Sequence, residues 1–335
     1  MARIAIVHDI AGVGAVQAGL LREAGHEVDQ VALPQWGAGW RRAAKAIALP
    51  VRLAAYLPVA LKLRRGRYDV IHIHFLSQGI VGVLAGRTFF AQAHGSDLHA
   101  NLHNPVYRRV TRAVLERAKS VFYVTPNLRA YLDRFGEKLV YLPNPVRLPA
   151  GTEVVPAPSD VRRVVIFTRL HAVKGVEQIF PAVEALSAMV ELTAFDSGPL
   201  AHEYVRRYGS WVTFVPPVPH REIWSFIGAF DAVIGQMRQG VLGLMEIEAL
   251  AAGRPLIAAV DGALYSDDPP PVVNVSGPEE IVAAITRLKS NPAELKRLSE
   301  QGRAWAERNH SYARHLQSLE AAYFGARGAA GPPTA

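Results

Sequence analysis

Twice along its length the chain alternates short apolar runs with helical patterns, and a proline-rich stretch separates the two series. The first holds ARIAIVH (2–8), HEVDQVAL (26–33), DVIHIHF (69–75), TFFAQAH (88–94), SVFYVT (120–125) and LVYLP (139–143). Runs of this length, rich in branched residues and joined by helices, pair as parallel strands through right-handed crossovers. From 144 to 160, proline and small polar residues replace the periodic pattern, as in a linker. The alternation then restarts with VRRVVIFT (161–168), a helix over 175–189, VELTAF (190–195), WVTFV (211–215), DAVIG (231–235), a helix through 243–252 and RPLIAAV (254–260). Two β/α domains follow, 1–148 and 149–308. A last long helix near 294–325 precedes a tail, 326–335, whose composition predicts disorder.

With 335 residues, half of them hydrophobic, the chain can bury two cores. It contains no cysteine, which excludes disulfides, thiolate metal sites and a cysteine nucleophile. The opening MARIAIVHDIAG reads as a buried strand rather than a secretion signal, and no uncharged apolar run approaches the roughly 18 residues of a membrane-spanning helix. Charge is uneven. Residues 1–148 carry 20 Lys and Arg against 9 Asp and Glu, whereas 149–335 carry 17 against 20. The first half is therefore expected to meet an anionic partner.

That charge is concentrated between Gln30 and Tyr68, where no acid occurs. Arg41, Arg42, Lys45, Arg52, Lys62, Arg64, Arg65 and Arg67 lie there with Trp36, Trp40 and Tyr56 interleaved. Apolar residues over 43–63 predict amphipathic helices interrupted at Pro50 and Pro58. Basic residues beside interfacial aromatics suit anionic lipid head groups. A nucleic-acid surface would use similar residues, and an ordinary solvated helix face would also be basic in part.

Other motifs sit where strands end. In VVIFTRLHAVKG (164–175) a strand runs into a loop with Arg169 and Lys174, and a helix begins at Gly175. Two cations beside a helix N-terminus make an anion site. TFFAQAH ends on His94, followed by Gly95, Ser96 and Asp97, so His94 is placed at the crevice rim where it could donate to a hydroxyl or an oxyanion, or merely cap its loop. His72 and His74 share one strand face, but no third ligand is local, and packing is the preferred reading over metal. The turn 11–19 has Gly12 and Gly14 but Gln17 in place of a third glycine, weak support for a nicotinamide cofactor. No Asp-x-Asp pair occurs, which argues against a divalent metal on a diphosphate. Glu246 and Glu248, two apart on a helix, must point to nearly opposite sides.

Taken in order, the glycine turn, GHEV (25–28), DVIHIH (69–74), HGSD (94–97), YLPNPV (141–146), TRLHAVKG (168–175), DSGPL (196–200) and GLMEIEALAAGRPLIA (243–258) resemble the GT-B glycosyltransferases, specifically glycosyltransferase family 4. The resemblance implies an α/β protein of two Rossmann-like domains facing each other across a cleft, with 309–325 crossing back to the first domain. It implies retaining, metal-independent transfer of a sugar from a nucleotide-diphosphate sugar, with no cofactor, by a cytoplasmic enzyme. Arg169 and Lys174 would hold the diphosphate, and His94 would lie near the reacting sugar. Glu248 would take the ribose hydroxyls, with Gly243, Leu244 and Gly198 lining the donor site, and Glu246 turned to solvent or a salt bridge. Gly12, Gly14 and Asp97 would form the loop toward acceptor or phosphate. The family's first glutamate falls on Gly240, so one carboxylate is missing, and Arg238 or Gln239 could stand in. The basic region then implies a lipid or lipid-linked glycan acceptor on the inner face of the plasma membrane, with nucleic acid disfavoured. A catalytically silent binding homologue and, last, a nicotinamide-dependent enzyme are the alternatives.

Overall fold

The computed structural model describes residues 1–34, 42–99 and 102–325, with the backbone alone at 42–50, 52 and 53. They form two compact units, Met1–Pro145 with Ala313–Ala335, and Val146–Tyr312. Trp36, Trp40, Arg41 and the tail 326–335 lie outside the described residues.

The first unit is built on six parallel strands: β1 (Arg3–Val7), β2 (Glu27–Val31), β3 (Val70–His74), β4 (Phe90–Ala93), β5 (Ser120–Tyr123) and β6 (Leu139–Tyr141), in the order β2-β1-β3-β4-β5-β6. Side chains alternate across a strand, so Ile4 and Ile6 enter one core and Ala5 and Val7 another. The first core is closed by Ala18 and Leu21 from the helix Val13–Glu23, and by Leu319 and Tyr323 from Tyr312–Phe324, the last helix. The second is closed by the helices Arg42–Arg65, Ile80–Ala85 and Pro105–Arg117. Arg42–Arg65 runs through Pro50 and Pro58 without the predicted interruptions. Tyr56, Ala60 and Leu63 are buried along its inner stripe, and that packing outweighs the hydrogen bonds the prolines remove.

The second unit has β7 (Arg163–Ile166), β8 (Glu191–Phe195), β9 (Thr213–Val215), β10 (Ala232–Ile234), β11 (Leu256–Ala258) and β12 (Val273–Asn274), all parallel, ordered β12-β11-β10-β7-β8-β9. Val164 and Ile166 pack on one side with Ile281 and Ile285 of the helix Pro278–Ser290, while Val165 and Phe167 pack on the other with Trp224 and the helix Leu244–Ala251. Two predicted helices are corrected. The one over 175–189 is three short pieces, Val176–Ile179, Phe180–Ala182 and Val183–Ser187, with Pro181 in the middle turn. The long C-terminal helix is two, Pro292–His310 and Tyr312–Phe324, broken where Ser311 takes an extended ψ of 152°. Strand β12 and the helix Pro278–Ser290 carried no sequence expectation. No described helix is long and apolar enough to cross a membrane.

Each sheet reverses its strand order once, between β1 and β3 and between β7 and β10. Parallel sheets hold ligands outside the carboxyl ends of strands at such points. Both edges are lined with the residues that the motifs single out.

Candidate functional site

In the second unit, the loop after β7 carries Arg169 and Lys174. Its bend is fixed against the loop after β8, where Leu170 N donates to Ser197 O at 2.7 Å and Leu200 N to Leu170 O at 3.0 Å. Gly198 makes this approach possible. Its φ is +121°, and a Cβ there would stand 2.4 Å from Leu170 O. Arg169 is exposed, whereas Lys174 is half-buried and donates from Nζ to Gln239 Oε1 at 2.8 Å. Lys174 also borders Gly243, since a Cβ on that residue would lie 3.6 Å from Nζ. The cation thus stands at the amino end of the helix Leu244–Ala251, whose dipole adds to the positive field.

The loop between β10 and that helix is shaped by two buried side chains. Gln236 accepts through Oε1 from Arg238 N and Gln239 N (2.9 and 2.6 Å), and donates through Nε2 to Val241 O and Ala259 O (2.9 and 3.0 Å). Glu246 accepts from Gln236 N at 3.0 Å and from Gly243 N at 2.9 Å. Glu246 is therefore buried in loop contacts, not turned to solvent or a salt bridge as expected, because its N3 position faces the unpaired N–H groups of the helix start. Glu248 points elsewhere, as expected, and is itself almost fully buried. Its Oε1 lies 3.0 Å from His220 Nε2. Burial pushes its carboxyl above the usual range, and the neighbouring His220 opposes that.

At Gly240 the backbone has a φ of +67° and pairs with Val260, so the position of the missing carboxylate is one that favours glycine. The two suggested substitutes differ. Arg238 is ion-paired to Glu177, whereas Gln239 engages Lys174.

In the first unit, His94 ends β4 and is partly exposed. His74, at the end of β3, is fully buried and its Nδ1 lies 3.0 Å from His94 Nε2. The rings of His72 and His74 stack at 4.7 Å, and His72 Nδ1 meets the Tyr323 hydroxyl at 2.6 Å. Gln17, Gln92 and His315 continue this polar layer, with Gln17 Nε2 at 3.2 Å from Gln92 Oε1 and 3.0 Å from His315 Nε2. The third histidine that β3 lacks locally is thus supplied by β4, but no group of described residues could hold a metal ion. Burial, reinforced by neighbouring imidazoles, brings His72 and His94 down to about 3 and His74 well below its ordinary value.

Asp97 is fully buried, and its carboxylate accepts from Leu76 N (2.9 Å) and His94 N (3.1 and 3.3 Å). It ties the ends of β3 and β4 together, beside the loop to which the sequence reading assigned it. Burial raises it to about 6 despite those bonds. Across the reversal point, Asp9 Oδ1 accepts from Gly14 N at 2.8 Å, and Gly12 has open space about it. His8, Ala11 and Phe75 all have positive φ, unusual for residues with side chains and concentrated at this edge.

Of the predicted basic face, Lys62, Arg64 and Arg65 are exposed. Val51, Leu57 and Leu61 are exposed on the same helix. Arg41 lies outside the described residues, as do the side chains of Arg42, Lys45 and Arg52.

The edge of each unit thus combines groups from several loops. The motif reading missed Gln236, His220, Gln17, Gln92, His315 and Tyr323. No spacing rule marks them, because they meet only through the fold.

Residues 14–145 match the family model of a glycosyl transferase 4-like domain, and residues 183–321 match that of a glycosyl transferase-like domain. No curated protein matches the sequence. Three solved structures are similar over nearly the whole chain. Sucrose-phosphate synthase from Thermosynechococcus elongatus is 19% identical with a TM-score of 0.76, covering 98% of this chain and 100% of its own. A glycosyltransferase from Rickettsia africae is 17% identical with a TM-score of 0.72, covering 96% and 97%. Anabaena HepE in complex with UDP-glucose is 15% identical with a TM-score of 0.70, covering 95% and 98%. The likeness shows a fold of two Rossmann-like domains, that of the GT-B glycosyltransferases.

Proposed function

We propose that this chain, built of glycosyltransferase-type domains on a GT-B fold, is a family 4 enzyme that moves a sugar from a nucleotide-diphosphate sugar to a lipid or lipid-linked glycan with retention of anomeric configuration. Lys174 carries the proposal. It is a half-buried cation at a helix N-terminus on the carboxyl edge of a parallel sheet, fixed by Gln239. A departing diphosphate needs compensation there, and Lys174, the exposed Arg169 and the positive end of the helix Leu244–Ala251 can supply it without a metal. Glu248 accepts from the ribose hydroxyls. His94 contacts the sugar, and Gly12 and Gly14 allow close backbone approach. The complex of HepE with UDP-glucose makes a uridine donor the first to try.

The proposed acceptor rests on the basic helix Arg42–Arg65. Val51, Leu57 and Leu61 give it an exposed apolar surface, with Lys62, Arg64 and Arg65 at its basic end. Such a surface suits the anionic inner face of a plasma membrane, and the enzyme would act there from the cytoplasm.

Thermal unfolding with UDP, UDP-glucose, other nucleoside diphosphates and NAD, all in EDTA, tests the donor assignment. A ligand at 100 times its Kd adds about 2.7 kcal/mol. Stabilisation by a nucleoside diphosphate that disappears in Lys174→Ala and Glu248→Ala is expected. Stabilisation by NAD alone would defeat the proposal.

A further inference from the structure

We infer that His74 is a positioning residue, holding His94 through the Nδ1···Nε2 contact so that His94 offers an Nδ1–H donor to the substrate, an inference that rests on the proposed role of His94. The reason lies in the number of protons. Two neutral imidazoles facing each other at 3.0 Å share one hydrogen bond, so one nitrogen donates and the other is bare. His74 is fully buried, and its other nitrogen, Nε2, has no hydrogen-bond partner. If His94 donated from Nε2, His74 would carry its proton on Nε2, leaving a buried N–H unpaired. If His74 donates from Nδ1, the orphan is a bare acceptor. Orphaned buried N–H groups are the rarer of the two. The second arrangement is therefore favoured, and it leaves the proton of His94 on Nδ1.

The surroundings keep this pair fixed. His74 stacks on His72 at 4.7 Å, and His72 is held by the Tyr323 hydroxyl at 2.6 Å from the last helix. The backbone N–H of His94 is tied to Asp97 on the other side. The titratable groups facing the pair are His8 beyond β1, His72 on β3, Asp97 beyond β4 and His315 on the last helix. Burial, with the nearby His8, favours the neutral form of His94, which then acts as a fixed donor to a sugar hydroxyl or to the leaving oxygen.

The test is long-range ¹H–¹⁵N NMR of the labelled full chain at pH 7, with His94 assigned by its absence in His94→Gln. The expected spectrum has His94 Nδ1 protonated and Nε2 bare. A proton on Nε2, or an imidazolium, would overturn the inference. Turnover gives the second readout. His74→Phe removes the contact and should lower kcat about tenfold with KM little changed, whereas His74→Asn, whose amide nitrogen falls near Nδ1, should restore most of it. Equal loss in both variants would reduce His74 to a packing role. Full turnover in His94→Gln, with the unsubstituted chain showing the Nδ1–H form, would overturn the substrate role of His94 and with it the role of His74. The wrong tautomer with transfer intact would overturn the inference alone.

Discussion

The two sheet edges share a topology and differ in how they handle charge. In the first unit the edge is lined mainly by imidazole rings and amides, most of them buried, with the buried carboxylate Asp97 tied to loop N–H groups. In the second it carries a half-buried lysine, an exposed arginine and a buried carboxylate engaged by a mostly exposed histidine. Burial disfavours charge in both, and in the first the buried Asp97 is held by the Leu76 and His94 N–H groups, whereas the second places cations at its edge. A site that orients a sugar needs donors and acceptors. A site that receives a departing diphosphate needs cations. One fold supplies either, according to what its loops carry.

The largest expected consequence of this contrast is in acid. His72 and His94 are lowered to about 3 in the folded state and His74 is lowered well below its ordinary value, so their contribution to stability is complete above pH 6.5 and is lost as pH falls through their lowered folded values. Asp97, raised to about 6, acts the other way, favouring the folded state as pH falls through that range. The histidines, with His8 shifted the same way, outweigh the one aspartate, so unfolding takes up protons in this range and stability falls as pH drops. In the second unit, Glu153, Asp160 and Glu280 also lose stability in acid, but they are surface groups of small weight. Hydrogen exchange followed by peptide at pH 7 and pH 5 should show the first unit opening first. Parallel loss in both units would break the contrast.

Next in size is Lys174→Ala. Losing a preorganised group that stabilises developing charge costs about 10²–10³ in kcat, and the variant should fold normally because, among the described residues, the side chain is hydrogen-bonded only to Gln239. Steady-state turnover with the donor found by thermal shift measures it. A loss in KM alone would mean that Lys174 binds the ground state and the leaving group equally well.

How much of this was legible in the sequence follows the same division. Arg169 and Lys174 could be singled out from the sequence because they lie in a loop between a strand end and a helix start, whereas Glu248, inside a helix, was singled out only through the family resemblance. The strands were legible for a similar reason, their apolar runs being short and bounded. The histidine layer was not. Gln17, His74, Gln92 and His315 are far apart in sequence and meet because β3, β4 and two helices share one face. Their burial reads as packing until the partners are known. Glu246 was misread because a carboxylate three positions into a helix can turn back onto the N–H groups of the turn before it. The breaks at Pro181 and Ser311, and the continuity through Pro50 and Pro58, depend on tertiary packing that local propensity does not contain.

The smallest effect expected is at His220, and it sharpens the comparison most, because here the second unit has a buried acid whose state is shared with an exposed partner. Glu248 is raised by burial and lowered by His220. Removing the imidazole in His220→Ala leaves burial unopposed, so the carboxyl must titrate at higher pH than in the wild type. A ribose hydroxyl donates to the ionised carboxylate, and protonation removes that acceptor. Donor binding should therefore fail in acid for both proteins, and should fail at a higher pH in the variant. The side chain of His220 is 71% exposed, so solvent screens much of its influence and the displacement should be modest. Calorimetric titration of the nucleotide across pH 4 to 8 reads it directly. A binding curve that moves to lower pH in His220→Ala would mean that His220 competes with the ribose for Glu248 rather than holding the carboxylate ready for it.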